Sequence, residues 1–129
     1  MDKIQSLYQG RPVNLPSADC SVPLVFLDQY EEKELWQPFE FGTRHYPQTP
    51  TYSVSAFTKL CQLCIIMEEV LNTVYAKRKA EQGLDSLAEQ IKALHAKLQW
   101  WFKGLGIHLK FDASDSAHVL PPPSVLSLL

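Results

Sequence analysis

An all-α fold is predicted by three features of the sequence: an apolar repeat at three- and four-residue steps from Phe57 to Tyr75, a leucine stripe from Leu87 to Trp101, and the glycines and prolines that bracket both. These features place an antiparallel helix pair at about 53–82 and 86–103. Long, irregular, proline-rich connections flank the pair, and the whole reads as part of a larger helical domain.

Residues 1–9 carry Ile4, Leu7 and Tyr8 and read as the end of a helix, which Gly10 stops. Residues 10–52 then read as a turn and a wrapping loop. Pro12, Pro16 and Pro23 hold the backbone extended or turned over Arg11–Pro23. Further on, Trp36, Phe39 and Phe41 pin the loop among Pro38, Pro47 and Pro50, and the acidic run Glu31-Glu32-Lys33-Glu34 reads as solvated. The helix pair fills 53–103. Ser53 or Ser55 caps its start through a hydroxyl.

In the first helix Phe57, Leu60, Cys61, Cys64, Met67, Leu71, Val74 and Tyr75 line one face, and Leu63, Ile66 and Val70 the next. Such a helix is expected to be buried on two sides. Lys77-Arg78-Lys79 suits the negative end of its dipole, and Gly83 ends it. Ser86 and Glu89 have capping-box spacing, followed by Leu87, Ile91, Leu94, Leu98 and Trp101. Gly104 and Gly106 close the second helix. The short link at Gly83 makes the two helices antiparallel neighbours. Residues 104–129 form a linker, with Pro121-Pro122-Pro123 extended before the start of a further helix.

A chain of 129 residues suits one domain that buries roughly two-thirds of its unfolded surface. Its 46% hydrophobic and 20% charged residues exclude wholesale disorder. With 12 Lys and Arg against 14 Asp and Glu, the net charge is -2, which lays no basic stripe for phosphates. The apolar run from Leu60 to Leu71 is broken by Gln62, Glu68 and Glu69, too short for a bilayer. No signal segment opens the chain, and three cysteines make no disulfide framework, so a reducing compartment is expected.

Chemistry-bearing constellations are sparse. Cys61 and Cys64 have CxxC spacing, but Cys20, His45, His95, His108 and His118 add no paired ligands, and the thiols read as small buried apolar groups. His108 near Lys110 and Asp112 lacks a nucleophile. Lys77-Arg78-Lys79 reads as a dipole and solubility feature rather than an import signal. Trp100, Trp101 and Phe102 read as core packing rather than as a stacking platform. Leu84, Leu87, Ile91 and Leu94 form a stripe for pairing with the first helix or for a partner groove. Neither a catalytic site, a metal site nor a small-molecule substrate is evident.

Met1-Asp2-Lys3-Ile4-Gln5-Ser6-Leu7-Tyr8-Gln9-Gly10-Arg11-Pro12, then Asp19 and Val22-Pro23, resembles a stretch in fungal zinc-cluster transcription factors where a helix ends in a Gly-Arg-Pro turn. The helix pair and Leu120-Pro121-Pro122-Pro123-Ser124-Val125-Leu126-Ser127-Leu128 look like the same region. That region is the fungal-specific transcription factor domain, also called the middle homology region or xylanolytic-activator-type regulatory domain, and the match is nearest to the nitrate-assimilation-regulator group.

The resemblance implies a nuclear regulatory segment, with the cytoplasm as the alternative, working through intramolecular or protein-protein contacts. Gly10, Arg11, Pro12, Asp19 and Pro23 would be structural, with Arg11 capping carbonyls or pairing with Asp19. The partners would be the rest of the domain or other regulatory proteins. DNA and zinc binding belong to an upstream six-cysteine cluster that these residues cannot build, and the resemblance implies a partial domain cut at both ends. A free-standing helical adaptor is the alternative function.

Overall fold

A computed structural model describes residues 2–23, 25–26, 30–39, 47–74, 84–111 and 120–128. The fold is all-α: helices α1 (Asp2–Gln9), α2 (Ser53–Val74), α3 (Leu84–Lys103) and α4 (Pro123–Leu126), with 3-10 turns at Ser17–Asp19 and Ile107–Leu109. The predicted Tyr75, Lys77-Arg78-Lys79, Gly83 and the end of the first predicted helix fall outside the described residues. So do Phe41, His45, Asp112 and His118.

The chain divides into two units. One holds Met1–Pro23 and Cys61–Gly104, the other Leu24–Leu60 and Leu105–Leu129. In the first, α1 ends at Gly10, whose φ of 61° is the left-handed conformation that Gly adopts without steric cost. The Gly10 N–H donates to the Leu7 carbonyl at 3.3 Å and the Arg11 N–H to that of Ser6 at 3.1 Å. This is the double bond of a Schellman stop. Ser6 lies wholly buried beneath the turn, its hydroxyl donating to the Pro12 carbonyl at 3.3 Å. Gly10→Ala is therefore expected to cost about 1 kcal/mol, read as a lowered urea midpoint with unchanged slope.

Leu71, Leu94 and Trp101 form the buried apolar part of this unit. Lys97 Nζ donates to Glu69 Oε2 at 2.5 Å and ties α3 to α2. Both side chains are substantially exposed, so this pair adds at most about 1 kcal/mol. On α2 most residues of the two predicted faces, Leu60, Cys61, Leu63, Cys64, Ile66, Met67 and Val70, are half-buried and Leu71 is buried, but Phe57 and Val74 at its ends are exposed, so the expected burial on two sides is only partial.

In the second unit the predicted wrapping loop carries more order than its prolines suggest. Leu35–Trp36 (β1) pairs antiparallel with Thr49–Pro50 (β2), Leu35 opposite Pro50 and Trp36 opposite Thr49. Pro50 lacks an N–H to donate, a position that proline tolerates only beside a free edge. Phe26 meets Phe57 edge-on at 5.0 Å, and the core comprises Ala56, Leu105, Leu109 and Val125. The predicted helix after the prolines is α4, opened by Pro123 in the first turn, where its missing N–H costs nothing. Ser124 Oγ donates to the Thr51 carbonyl, fixing α4 to the chain just before α2.

Candidate functional site

The resemblance singles out the turn after α1, and the structure shows what holds it. Asp2, in the first turn of α1, accepts from the backbone N–H groups of Asn14 and Leu15, each at 3.1 Å, and from Asn14 Nδ2 at 3.0 Å. The Leu15 N–H and then the Asn14 bonds hold its carboxyl below the usual aspartate range. The chain leaving Pro12 is thereby drawn back to the start of the helix it has just left.

The second anchor is Glu68, in the middle of α2 and only 7% exposed. Its carboxylate accepts the Ser17 N–H at 2.9 and 3.0 Å, the Ser17 hydroxyl at 2.5 Å, and a short bond from Lys3 Nζ. Lys3 Nζ also donates to Ser17 Oγ at 2.8 Å and to the Leu15 carbonyl at 3.4 Å. Burial pushes the Glu68 carboxyl up, but the bonds from Lys3 and Ser17 together with the Lys3 charge outweigh it and hold the group below its ordinary value. A buried carboxylate with this many donors stays ionised and joins α1, the turn segment and α2 at one point.

Of the motif residues, Gly10, Arg11 and Pro12 lie together in the stop. Arg11 acts through its backbone N–H. Its side chain is exposed and makes no pair with Asp19, so the expected guanidinium cap is corrected: the amide of Arg11 itself already satisfies the Ser6 carbonyl. Asp19 ends the 3-10 turn with its side chain exposed, and Pro23 is exposed beyond it.

The start of α2 also departs from expectation. Tyr52, at φ 49°, occupies the capping position, and its carbonyl accepts the first helical bond from Ala56 at 2.8 Å. The Ser53 hydroxyl goes instead to the Glu31 carbonyl at 2.8 Å, and the N–H of Ser55 is met at 2.9 Å by the carboxylate of Glu32. Ser55 Oγ makes a short bond to the same carboxylate. The acidic run is thus not simply solvated. Its second residue caps α2 across the loop and sets negative charge at the positive end of the dipole. Glu32→Ala is expected to cost about 1 to 2 kcal/mol and to raise amide exchange at Val54 and Ser55.

His108 stacks on Tyr52 at 4.5 Å, and a Cβ on Gly106 would fall 2.5 Å from the His108 ring. His108 is exposed and meets an aromatic ring, not a nucleophile. Cys61 and Cys64 sit one turn apart in α2, half-buried rather than fully buried, and burial followed by the neighbouring thiol pushes Cys61 up. Among the described residues no three His, Cys, Asp or Glu side chains are grouped to hold a metal. No described helix is long and apolar enough to cross a membrane.

The aromatic cluster splits. Trp101 is buried at 8% exposure, but Trp100 and Phe102 stand open at 79% and 58%. Consecutive helical residues point about 100° apart, so only one of the three can face the core. The leucine stripe splits as well: Leu94 is buried, Leu87 half-buried and Ile91 exposed, while the Leu84 side chain lies outside what is described. Leu98, His95, Gln99, Phe102 and Lys103 line a shallow depression beside it.

The sequence of this chain has a fungal transcription factor as a relative. That relative is the nitrogen assimilation transcription factor nirA of Emericella nidulans, 31% identical over 108 residues that take in 81% of this chain. The chain spans 12% of the length of that protein. No protein-family model and no solved structure matches the chain.

Proposed function

We propose that the chain is a regulatory segment of a fungal zinc-cluster transcription factor, restraining or releasing the activator through intramolecular or protein-protein contacts. The similarity to nirA over four-fifths of the chain carries this reading. Its site is a contact surface, and the Glu68 clamp is the frame that holds that surface in shape. On this reading the protein is nuclear and not an enzyme. Its partners are other parts of the regulatory domain or other regulatory proteins, and DNA and zinc are bound by a separate cysteine cluster.

A reporter assay tests the proposal. The chain is placed between a heterologous DNA-binding domain and an activation segment, beside the same fusion without it and one carrying Glu68→Ala. Output is expected to fall several-fold when the intact chain is present, at equal protein level, and to recover with Glu68→Ala. Equal output from all three fusions would overturn the regulatory reading and favour an adaptor unrelated to transcription.

A further inference from the structure

Ser86 and Glu89 have the spacing of a capping box, but the structure puts them to no such use. Since α3 opens at Leu84, Ser86 is the third helical residue rather than the one before the helix, which a capping box requires. The Ser86 hydroxyl accepts from Gln90 Nε2 at 3.3 Å, and Glu89 makes no bond back to it. Asp85, Ser86 and Glu89 are all exposed, and neither carboxylate meets a hydrogen bond or an ion pair among the described residues.

A hydroxyl this open is unusual in the chain. Every other described serine and threonine hydroxyl donates to an acceptor within the protein, except those of Thr49, which is buried, and Ser21. Ser21 is exposed too, but it is followed by the apolar run Val22-Pro23-Leu24-Val25. Ser86 has Asp85 before it and is the one serine or threonine of the sequence with an acid three residues on. No basic residue lies between Lys79 and Lys92. A catalytic groove lined with Lys and Arg gains attraction from this pattern, while an acidic groove is repelled by it.

We propose that Ser86 is a phosphorylation site for an acidophilic serine kinase, with Asp85 and Glu89 as the charges that the kinase reads. Ser86 Oγ attacks the γ-phosphorus of ATP, the bond to the β,γ-bridging oxygen breaks to release ADP, and the hydroxyl proton passes to the carboxylate base of the kinase. A kinase groove takes an extended segment, and the first turn of a helix opens at low cost because its N–H groups have no intrahelical acceptor. The product adds a charge of about −1.5 to −2 to a corner that already carries two carboxylates. Ser86 holds nothing in the core, so this charge changes the surface of α3 without removing a support of the fold. The inference goes beyond the regulatory reading and supplies it with a point of control.

The test incubates the full chain with ATP and purified casein kinase II, an acidophilic kinase, beside a parallel reaction with the basophilic cyclic-AMP-dependent kinase. One phosphoryl group per chain is expected with the first, located on Ser86 by fragment mass spectrometry, and none on Ser86 with the second. Ser86→Ala is expected to abolish it, Glu89→Gln to slow it about tenfold, and Ser21→Ala to leave it unchanged. All three variants alter exposed side chains, and an unchanged far-ultraviolet circular dichroism spectrum shows that each is folded. Any one of three results would overturn the proposal: no incorporation into the unaltered chain, incorporation that survives Ser86→Ala in full, or equal rates for the parent and Glu89→Gln. Failure here with the reporter still repressed would remove this site and leave the regulatory reading intact. An unresponsive reporter with Ser86 still phosphorylated would remove that reading and leave the site.

Discussion

Glu68→Ala is expected to destabilise the first unit by about 3 to 4 kcal/mol, seen as a lowered urea midpoint and as fast amide exchange from Gly10 to Asp19. The size follows from what the substitution strands. Removing the carboxylate leaves the Lys3 ammonium, whose side chain is 17% exposed, without its counter-charge, and the Ser17 N–H without an acceptor. The loss of one partner from a buried pair costs more than the pair contributes net, because the remaining charge keeps its desolvation cost. Lys3→Met in the Glu68→Ala background is therefore expected to restore part of the stability, and the double-mutant cycle would show strong coupling. If Glu68→Ala were neutral, the clamp would not be the frame of the turn.

The same carboxylate fixes the direction of the pH dependence. Glu68 is held below its ordinary value of 4.5 and Asp2 below 3.8. A group with a depressed folded-state pKa contributes stability that is present above its unfolded value and is lost as pH falls through the folded one. Stability is thus expected to drop as pH is lowered from about 6 to about 3, and Glu68→Gln to flatten that slope. A slope identical in both proteins would place the acid sensitivity elsewhere.

These anchors show where reading the sequence stops. Helical periodicity gave α2 and α3, and Gly10 gave the stop of α1, because each is a local cause acting within a few residues, whereas Pro123, expected to be extended, is already the first residue of α4. Glu68 appeared only as an interruption of an apolar run. Its partners Lys3 and Ser17 lie 65 and 51 positions away, and no local pattern encodes them. Glu32 was equally silent. A carboxylate can cap a helix from 23 residues upstream, while the nearby Ser53 and Ser55 hydroxyls looked sufficient. The split among Trp100, Trp101 and Phe102 is different: the signal was present, since only Trp101 continues the seven-residue step from Leu94. Aromatic size drew all three toward the core when helix geometry admits one.

That split yields a contrast between two adjacent tryptophans. Trp101→Ala is expected to cost about 3 to 4 kcal/mol, the range for emptying a buried aromatic site, and to approach the whole stability of a small unit. Trp100→Ala removes the same side chain from a position 79% exposed, where little packing is lost, and is expected to stay within about 0.5 kcal/mol of the parent. Urea titrations followed by far-ultraviolet circular dichroism give both midpoints without relying on the deleted fluorophore. A helix turned so that Trp100 faced the core would turn Ile91 and Phe102 to its outer side. Equal costs at the two positions would therefore contradict the packing of α3.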